Sequence, residues 1–145
     1  MSDDLTGLAG ELFAQCPQEQ HRVLLAVLER AAADQYRRWA DEVGDEHRAG
    51  ILECAAREEK VAEVLEAAAP NATATAAALG ERFPDLGARY AALLDGKSLV
   101  EQFAIQAAGE RAGGELLRSY ALADAAELED ANAAFLDRVS HELPS

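Results

Sequence analysis

The sequence predicts an all-α protein with four long helices, and three observations support this fold class. Alanine and leucine dominate, with 33 and 19 of the 145 residues, and both favour helices. Valine and isoleucine are few, and only 4 prolines and 10 glycines occur, a composition that disfavours a β fold. Apolar residues also recur every three or four positions along four segments, which is the period of a helix with one buried face.

The length and the net charge of the chain limit the number of domains and the kinds of partner that we expect. A chain of 145 residues predicts a single domain over residues 1–145. Its 27 acidic and 13 basic residues give a net charge of −14, which argues against binding to nucleic acid or to anionic membranes. No signal-peptide pattern and no long apolar run occur, and Cys16 and Cys54 lack metal-site spacing. We therefore expect a cytoplasmic protein.

The first half of the chain predicts a short helix and then a helical hairpin. The short helix covers residues 3–15. The first long helix is expected to begin near Pro17, since proline is tolerated at the first helical position, and to stop at Gly44, a residue type common just after a helix. Asp45 is then expected to cap a second long helix. Because the connection is short, the two helices should pack antiparallel as a hairpin over residues 17–69.

A different pattern follows at residues 70–97, which contain two prolines and three glycines. We expect a long crossover with short helices near residues 72–79 and 85–94. The crossover is alanine-rich, and its larger apolar residues are Tyr90, Leu93 and Leu94. If those side chains are exposed they must cover another surface, so we expect a homodimer.

A second hairpin is predicted over residues 98–143. Ser98 and Glu101 form a capping-box pattern, in which each side chain satisfies a backbone N–H near the other residue. This pattern predicts the start of the third long helix. Asp124 is expected to cap the fourth.

The two hairpins show internal similarity. Residues 29–40 match residues 110–121 at five of twelve positions, and residues 55–65 match residues 133–143 at four of eleven. These matches indicate a duplicated helical hairpin. In this alignment Glu58 stands opposite Leu136.

The chain resembles the ferritin-like superfamily, in its rubrerythrin and bacterioferritin branch. Glu29 is followed by Tyr36 in ERAAADQY, the segment REEKVAEVLE is similar to that family's Glu-x-x-His stretch, and AAGERAGGELLRSYA is similar to its third helix with a central Glu110. The resemblance covers residues 17–66 and 98–143. It implies a ferritin-like four-helix bundle of two hairpins joined by a long crossover, with iron or manganese bound between the helices.

The chain departs from that family at the expected metal ligands. Val61 stands where a histidine should follow Glu58 by three residues. If Leu136 is the counterpart of Glu58, the second hairpin has lost one carboxylate and carries Val139 at the other histidine position. The resemblance therefore implies a reduced, carboxylate-only site.

Three glutamates are the candidate metal ligands: Glu29, Glu58 and Glu110. Each has mostly apolar neighbours three and four residues away along its helix, so each is expected to face the core. A buried carboxylate must be protonated, hydrogen-bonded or bound to a cation. Two interpretations follow. One is a site for iron or manganese, and the other is a metal-free network in which Tyr36, Gln106 and Asn132 satisfy the carboxyls.

The metal site and the metal-free network lead to two different hypotheses about function. The first hypothesis is a ferritin-like protein with a reduced carboxylate site that binds iron or manganese. The second is a non-catalytic helical interaction or dimerisation module that has lost the metal site. The sequence does not identify a substrate, a reaction or a protein partner.

Glycines are unusually frequent in the predicted third helix, at Gly109, Gly113 and Gly114. Each costs roughly 1 kcal/mol relative to alanine inside a helix. We expect them to let this helix approach the alanines at residues 31–33. A small ligand cavity is the alternative.

Overall fold

The computed structural model describes residues 4–143, and in that range the chain forms α-helices and no strand, as the sequence predicts. No helix in this range is long and apolar enough to cross a membrane. One 3₁₀ turn, Gln18–Gln20, precedes the second helix. The α-helices are α1 Leu5–Ala14, α2 His21–Ala40, α3 Asp45–Ala67, α4 Ala72–Arg82, α5 Leu86–Leu94, α6 Leu99–Ser119 and α7 Ala123–Ser140.

Four long helices surround the central core. The most extensive contacts join α2 to α3 and α6 to α7, and α3 also packs against α7. Between α2 and α6, the Nε1 of Trp39 donates a hydrogen bond of 2.7 Å to Oε1 of Gln102, and the Trp39 ring meets Phe103 edge-on at 5.1 Å. The short helix α1 lies against α6 and α2, and α4 packs on α2.

Several predicted helix ends differ from the structure. The first long helix begins at His21 rather than near Pro17, because the 3₁₀ turn comes between them. Asp45 and Asp124 do not cap their helices, since each already lies in the first turn of α3 or α7. Acidic residues still suit those positions, because the first turn of a helix carries a partial positive charge. The second hairpin was predicted to extend to residue 143, and α7 ends at Ser140.

The capping box at the start of α6 is confirmed. The Oγ of Ser98 accepts the N–H of Glu101 at 3.2 Å, and Oε1 of Glu101 accepts the N–H of Ser98 at 3.2 Å. Because both exposed backbone donors are satisfied, the helix start is well defined.

The connection between the hairpins packs inward. Tyr90 and Leu94 are buried in the core cluster that contains Trp39 and Phe103, and Leu93 is half-buried. The sequence interpretation left these side chains exposed. Since the chain itself covers them, they no longer give a reason to expect a homodimer.

Substitution of Gly50 in α3 tests how closely α3 packs on α7. A Cβ atom at Gly50 would overlap the ring of Phe135, whereas a Cβ at Gly80 in α4 would meet no atom within 4 Å. We therefore expect Gly50→Ala to lower the free energy of unfolding by about 1 kcal/mol. Gly80→Ala should raise it by roughly 0.5–1 kcal/mol, because alanine is the better helix former. Urea unfolding monitored by circular dichroism measures both, and an equal gain from the two changes would contradict this packing.

Candidate metal centre

Each long helix places one glutamate in the core. Glu29 comes from α2, Glu58 from α3, Glu110 from α6 and Glu129 from α7, and their exposed fractions are 6%, 1%, 1% and 2%. Carboxyl oxygens of Glu29, Glu58 and Glu129 lie within 4.8 Å of one another. The Glu110 carboxyl adjoins this triad through contacts with Glu58 and Glu129. Four acidic groups from four helices therefore form one buried cluster.

Helical register explains why these side chains face inward. The neighbours of Glu58 three and four positions away are Cys54, Ala55, Val61 and Ala62, and all are buried. Those of Glu129 are Ala125, Ala126, Asn132 and Ala133, and these are buried as well. A residue at the centre of a buried helical stripe points into the core.

Neutral donors satisfy part of the cluster. The hydroxyl of Tyr36 and the Nε2 of Gln106 each donate to Oε1 of Glu110 at 2.9 Å. The Nδ2 of Asn132 donates to Oε1 of Glu58 at 2.8 Å. The three residues proposed for a polar network therefore do contact the glutamates. None of these donors reaches Glu29 or Glu129.

Among the carboxyl oxygens of residues 4–143, three that are fully buried have no hydrogen-bond partner: Glu29 Oε2, Glu110 Oε2 and Glu129 Oε1. Within residues 4–143, no arginine, lysine or histidine forms an ion pair with any of the four glutamates. Arg57 reaches the cluster only through Asn132, whose Oδ1 accepts from its Nη1 at 3.2 Å. An ionised carboxylate can only accept hydrogen bonds, so contacts among these carboxyls require a shared proton or a cation.

Burial and mutual repulsion shift the protonation of the cluster. Burial raises the pKa of Glu58 and of Glu129 well above the usual range, and the charge of Glu110 raises both further. The pKa of Glu110 is also raised, first by burial and then by the charge of Glu29, although its hydrogen bonds oppose this shift. Burial likewise raises the pKa of Tyr36, and the neighbouring carboxylates add to that shift. Without a cation, the cluster therefore retains protons at a pH where exposed glutamates are ionised.

The sequence interpretation found three of the four glutamates and missed Glu129. If Glu58 is set opposite Leu136, the second hairpin has lost its carboxylate. The structure does not support that alignment, because α7 supplies Glu129, one of whose carboxyl oxygens lies within 4.8 Å of one from Glu58. The signal was present in the sequence. The residues three and four positions from Glu129 on its helix are three alanines and one asparagine, and those around Glu58 are all apolar.

No histidine joins the cluster among the described residues. The positions three residues after Glu58 and Glu129 are occupied by Val61 and Asn132. Any cation in this cluster would therefore be bound by carboxylate oxygens, and such ligands suit hard cations, including manganese.

The glycines of α6 make room for this site and for α1. A Cβ at Gly113 would lie 2.6 Å from Oε2 of Glu129, and a Cβ at Gly109 would lie 2.8 Å from Cδ1 of Leu5. Gly114 faces Asp130. The expected contact with the alanines at residues 31–33 is therefore wrong. Gly113 instead allows the α7 carboxyl to enter the core.

No family model, curated protein or solved structure matches this chain. The chemistry of the site must therefore be inferred from its residues and their geometry.

Replacing one buried carboxyl tests the electrostatic description. In chain stripped of metal with a chelator, we expect Glu58→Gln to raise the free energy of unfolding near pH 8 by about 1 kcal/mol, because the amide keeps the shape and removes a penalised charge. The exposed Glu127 lies on α7 two residues from Glu129, and Glu127→Gln is the matched control. Chemical denaturation measures both variants. A loss of stability specific to Glu58→Gln would contradict the description.

The raised pKa values also determine whether the stability of the folded chain rises or falls with pH. A carboxyl whose pKa is higher in the folded chain binds more protons there, so its contribution to stability is lost as pH rises above about 4.3, the ordinary glutamate value. We expect the metal-free chain to become less stable as pH rises from about 5 to 8. Glu129→Gln should flatten this slope by up to about 1.4 kcal/mol per pH unit.

The unaltered protein and the Glu129→Gln variant carry the same surface charges. The difference between their slopes of unfolding free energy against pH therefore excludes the contribution of the surface. Free energies of unfolding from urea titrations at each pH measure the slopes. Identical slopes would show that Glu129 titrates as an exposed residue does.

Proposed function

We propose that this chain is a ferritin-like helical bundle protein that binds one divalent iron or manganese ion between Glu29, Glu58 and Glu129. Glu110 adjoins the ion and is held by Tyr36. The observation that carries this proposal is the presence of three donorless carboxyl oxygens in a buried acidic cluster with no basic partner.

A divalent cation resolves the electrostatic problem of the cluster. Burial of several carboxylates without compensation is unfavourable, and protonation removes only part of the repulsion. A hard cation accepts oxygen ligands, so the donorless oxygens of Glu29 and Glu129 become ligands. Since the ion binds only the folded arrangement, its binding free energy also stabilises the fold.

The ferritin-like assignment is supported by topology and by the origin of the ligands. Two helix pairs, α2 with α3 and α6 with α7, are separated by a long connection that carries two short helices. Each long helix contributes one carboxyl to the cluster. Carboxylates from all four helices of such a bundle are the arrangement that holds metal ions in ferritin-like proteins.

A second candidate function is a non-catalytic helical interaction or dimerisation module that has kept the fold and lost the metal. Val61 at the expected histidine position favours it, as do the hydrogen bonds that Tyr36, Gln106 and Asn132 already donate. In that case the carboxyls share protons and the network serves only the core.

Metal content separates the two functions. We expect chain stripped of metal, loaded anaerobically with ferrous iron or Mn²⁺ and desalted, to retain about one ion per chain, since the triad offers a single shared position. Glu129→Gln should weaken binding at least tenfold, roughly the lower range for loss of a supporting contact. Elemental analysis of the desalted protein measures the ratio.

The control is Glu127→Gln, which removes the same charge from the surface of the same helix and should leave the ratio unchanged. Metal well below one ion per chain in the unaltered protein would favour the interaction module. Equal losses in the two variants would place the ion on the acidic surface instead.

A further inference from the structure

A cavity of about 280 Å³ lies beside the carboxyl cluster, between α1, α2 and α6. Thr6 and Gly10 of α1 line it and are exposed, so the cavity reaches solvent at that end. All four glutamates, Tyr90 and Gln106 also line it, and these residues are buried. The cavity therefore leads from the surface to the candidate metal centre.

Most of the other residues that line the cavity are apolar. They include Leu8 and Phe13 of α1, Leu25 and Leu28 of α2, and Ala112 and Leu116 of α6. A water molecule needs two to four polar partners, and these side chains offer none. Apolar cavities of about 150 Å³ are large enough to bind benzene. This cavity is larger, so it has room for one ring with a short substituent.

Small residues of α6 form part of the cavity lining. Gly109, Ala112 and Gly113 line the cavity, and the Cβ of an alanine at either glycine would meet Leu5 or Glu129. Each glycine costs roughly 1 kcal/mol relative to alanine in a helix interior. At these two positions the space beside α6 is occupied by Leu5 and Glu129, so a larger residue would displace side chains that form the cavity wall.

The charges around the cavity restrict the kind of ligand. Among residues 4–143, no arginine, lysine or histidine lines the cavity, and four carboxyl groups do, so an anion would be repelled and would find no cationic partner. A bound divalent cation would offset the carboxylate charge and reduce the attraction for an organic cation. The remaining class is an uncharged molecule that is mostly apolar.

We propose that this cavity binds a small, uncharged, largely apolar molecule whose inner end lies against the metal centre. Its position next to a metal ion rests on the proposed function. The binding itself depends on the apolar walls and does not require the ion.

Titration calorimetry with toluene tests the proposal directly. We expect saturable binding of one toluene per chain, both in metal-free protein and in protein loaded with Mn²⁺. Benzylamine carries the same ring with an ammonium group, and it should bind the Mn²⁺-loaded chain at least about tenfold more weakly. Absence of saturable toluene binding, or tighter binding of benzylamine than of toluene by the Mn²⁺-loaded chain, would overturn the proposal.

A matched pair of variants places the ligand in the cavity. Ala112 lines the cavity, whereas Ala108 lies one turn earlier on α6 and is exposed. Ala112→Phe should weaken toluene binding by about tenfold or more, and Ala108→Phe should leave it unchanged. If Ala112→Phe does not fold, Ala112→Leu fills less of the space and should weaken binding in the same direction. Equal effects at the two positions would place toluene elsewhere.

The outcomes for the metal and for the apolar molecule are separable. Retention of Mn²⁺ without toluene binding would overturn only the ligand cavity. Toluene binding by a chain that retains no Mn²⁺ would overturn the metal centre and leave the cavity as an apolar binding site. Ala112→Phe should reduce toluene binding with no loss of Mn²⁺, since Ala112 provides no ligand atom.

Discussion

Four carboxyl groups meet in a helical core where residues 4–143 provide no basic partner for them, and the rest of the structure is arranged around that constraint. Burial and mutual repulsion both oppose ionisation, which raises the pKa of Glu58, Glu110 and Glu129. The fold compensates in part through hydrogen bonds from Tyr36 and Asn132. The remaining oxygens need protons or a cation. Replacement of buried ionic groups by apolar residues is often neutral or stabilising, and this cost is the reason for our proposal that the cluster binds a ligand.

The surrounding helices supply space as well as charge. Gly113 leaves room for the carboxyl of Glu129 to enter between α6 and α7. Gly109 lets Leu5 of α1 approach α6, and α1 in turn forms one wall of the apolar cavity. A polar cluster at the end of an apolar pocket is the usual composition of a small-molecule site, where a few polar groups fix a mostly apolar ligand. The acidic cluster and the cavity thus form one continuous region.

Local sequence patterns predicted much of this structure. Periodicity placed the four long helices, and the burial of Glu29, Glu58 and Glu110 followed from their apolar neighbours. The pattern failed where tertiary packing decides the outcome. Glu129 was missed because aligning alanine-rich helices by identity chose a register that set Glu58 opposite Leu136. A register that sets Glu58 opposite Glu129 also sets Leu65 opposite Leu136, and all four residues are buried. The inward packing of Tyr90 depends on contacts between distant helices, which no local pattern contains.

The central claim is that the buried carboxyls bind a cation. Crystals grown with Mn²⁺ and measured on both sides of the manganese absorption edge would test it most directly, because anomalous scattering locates manganese independently of the protein atoms. The account predicts a peak bounded by the carboxyls of Glu29, Glu58 and Glu129. A core without a peak, in which those carboxyls instead contact one another through shared protons, would contradict it.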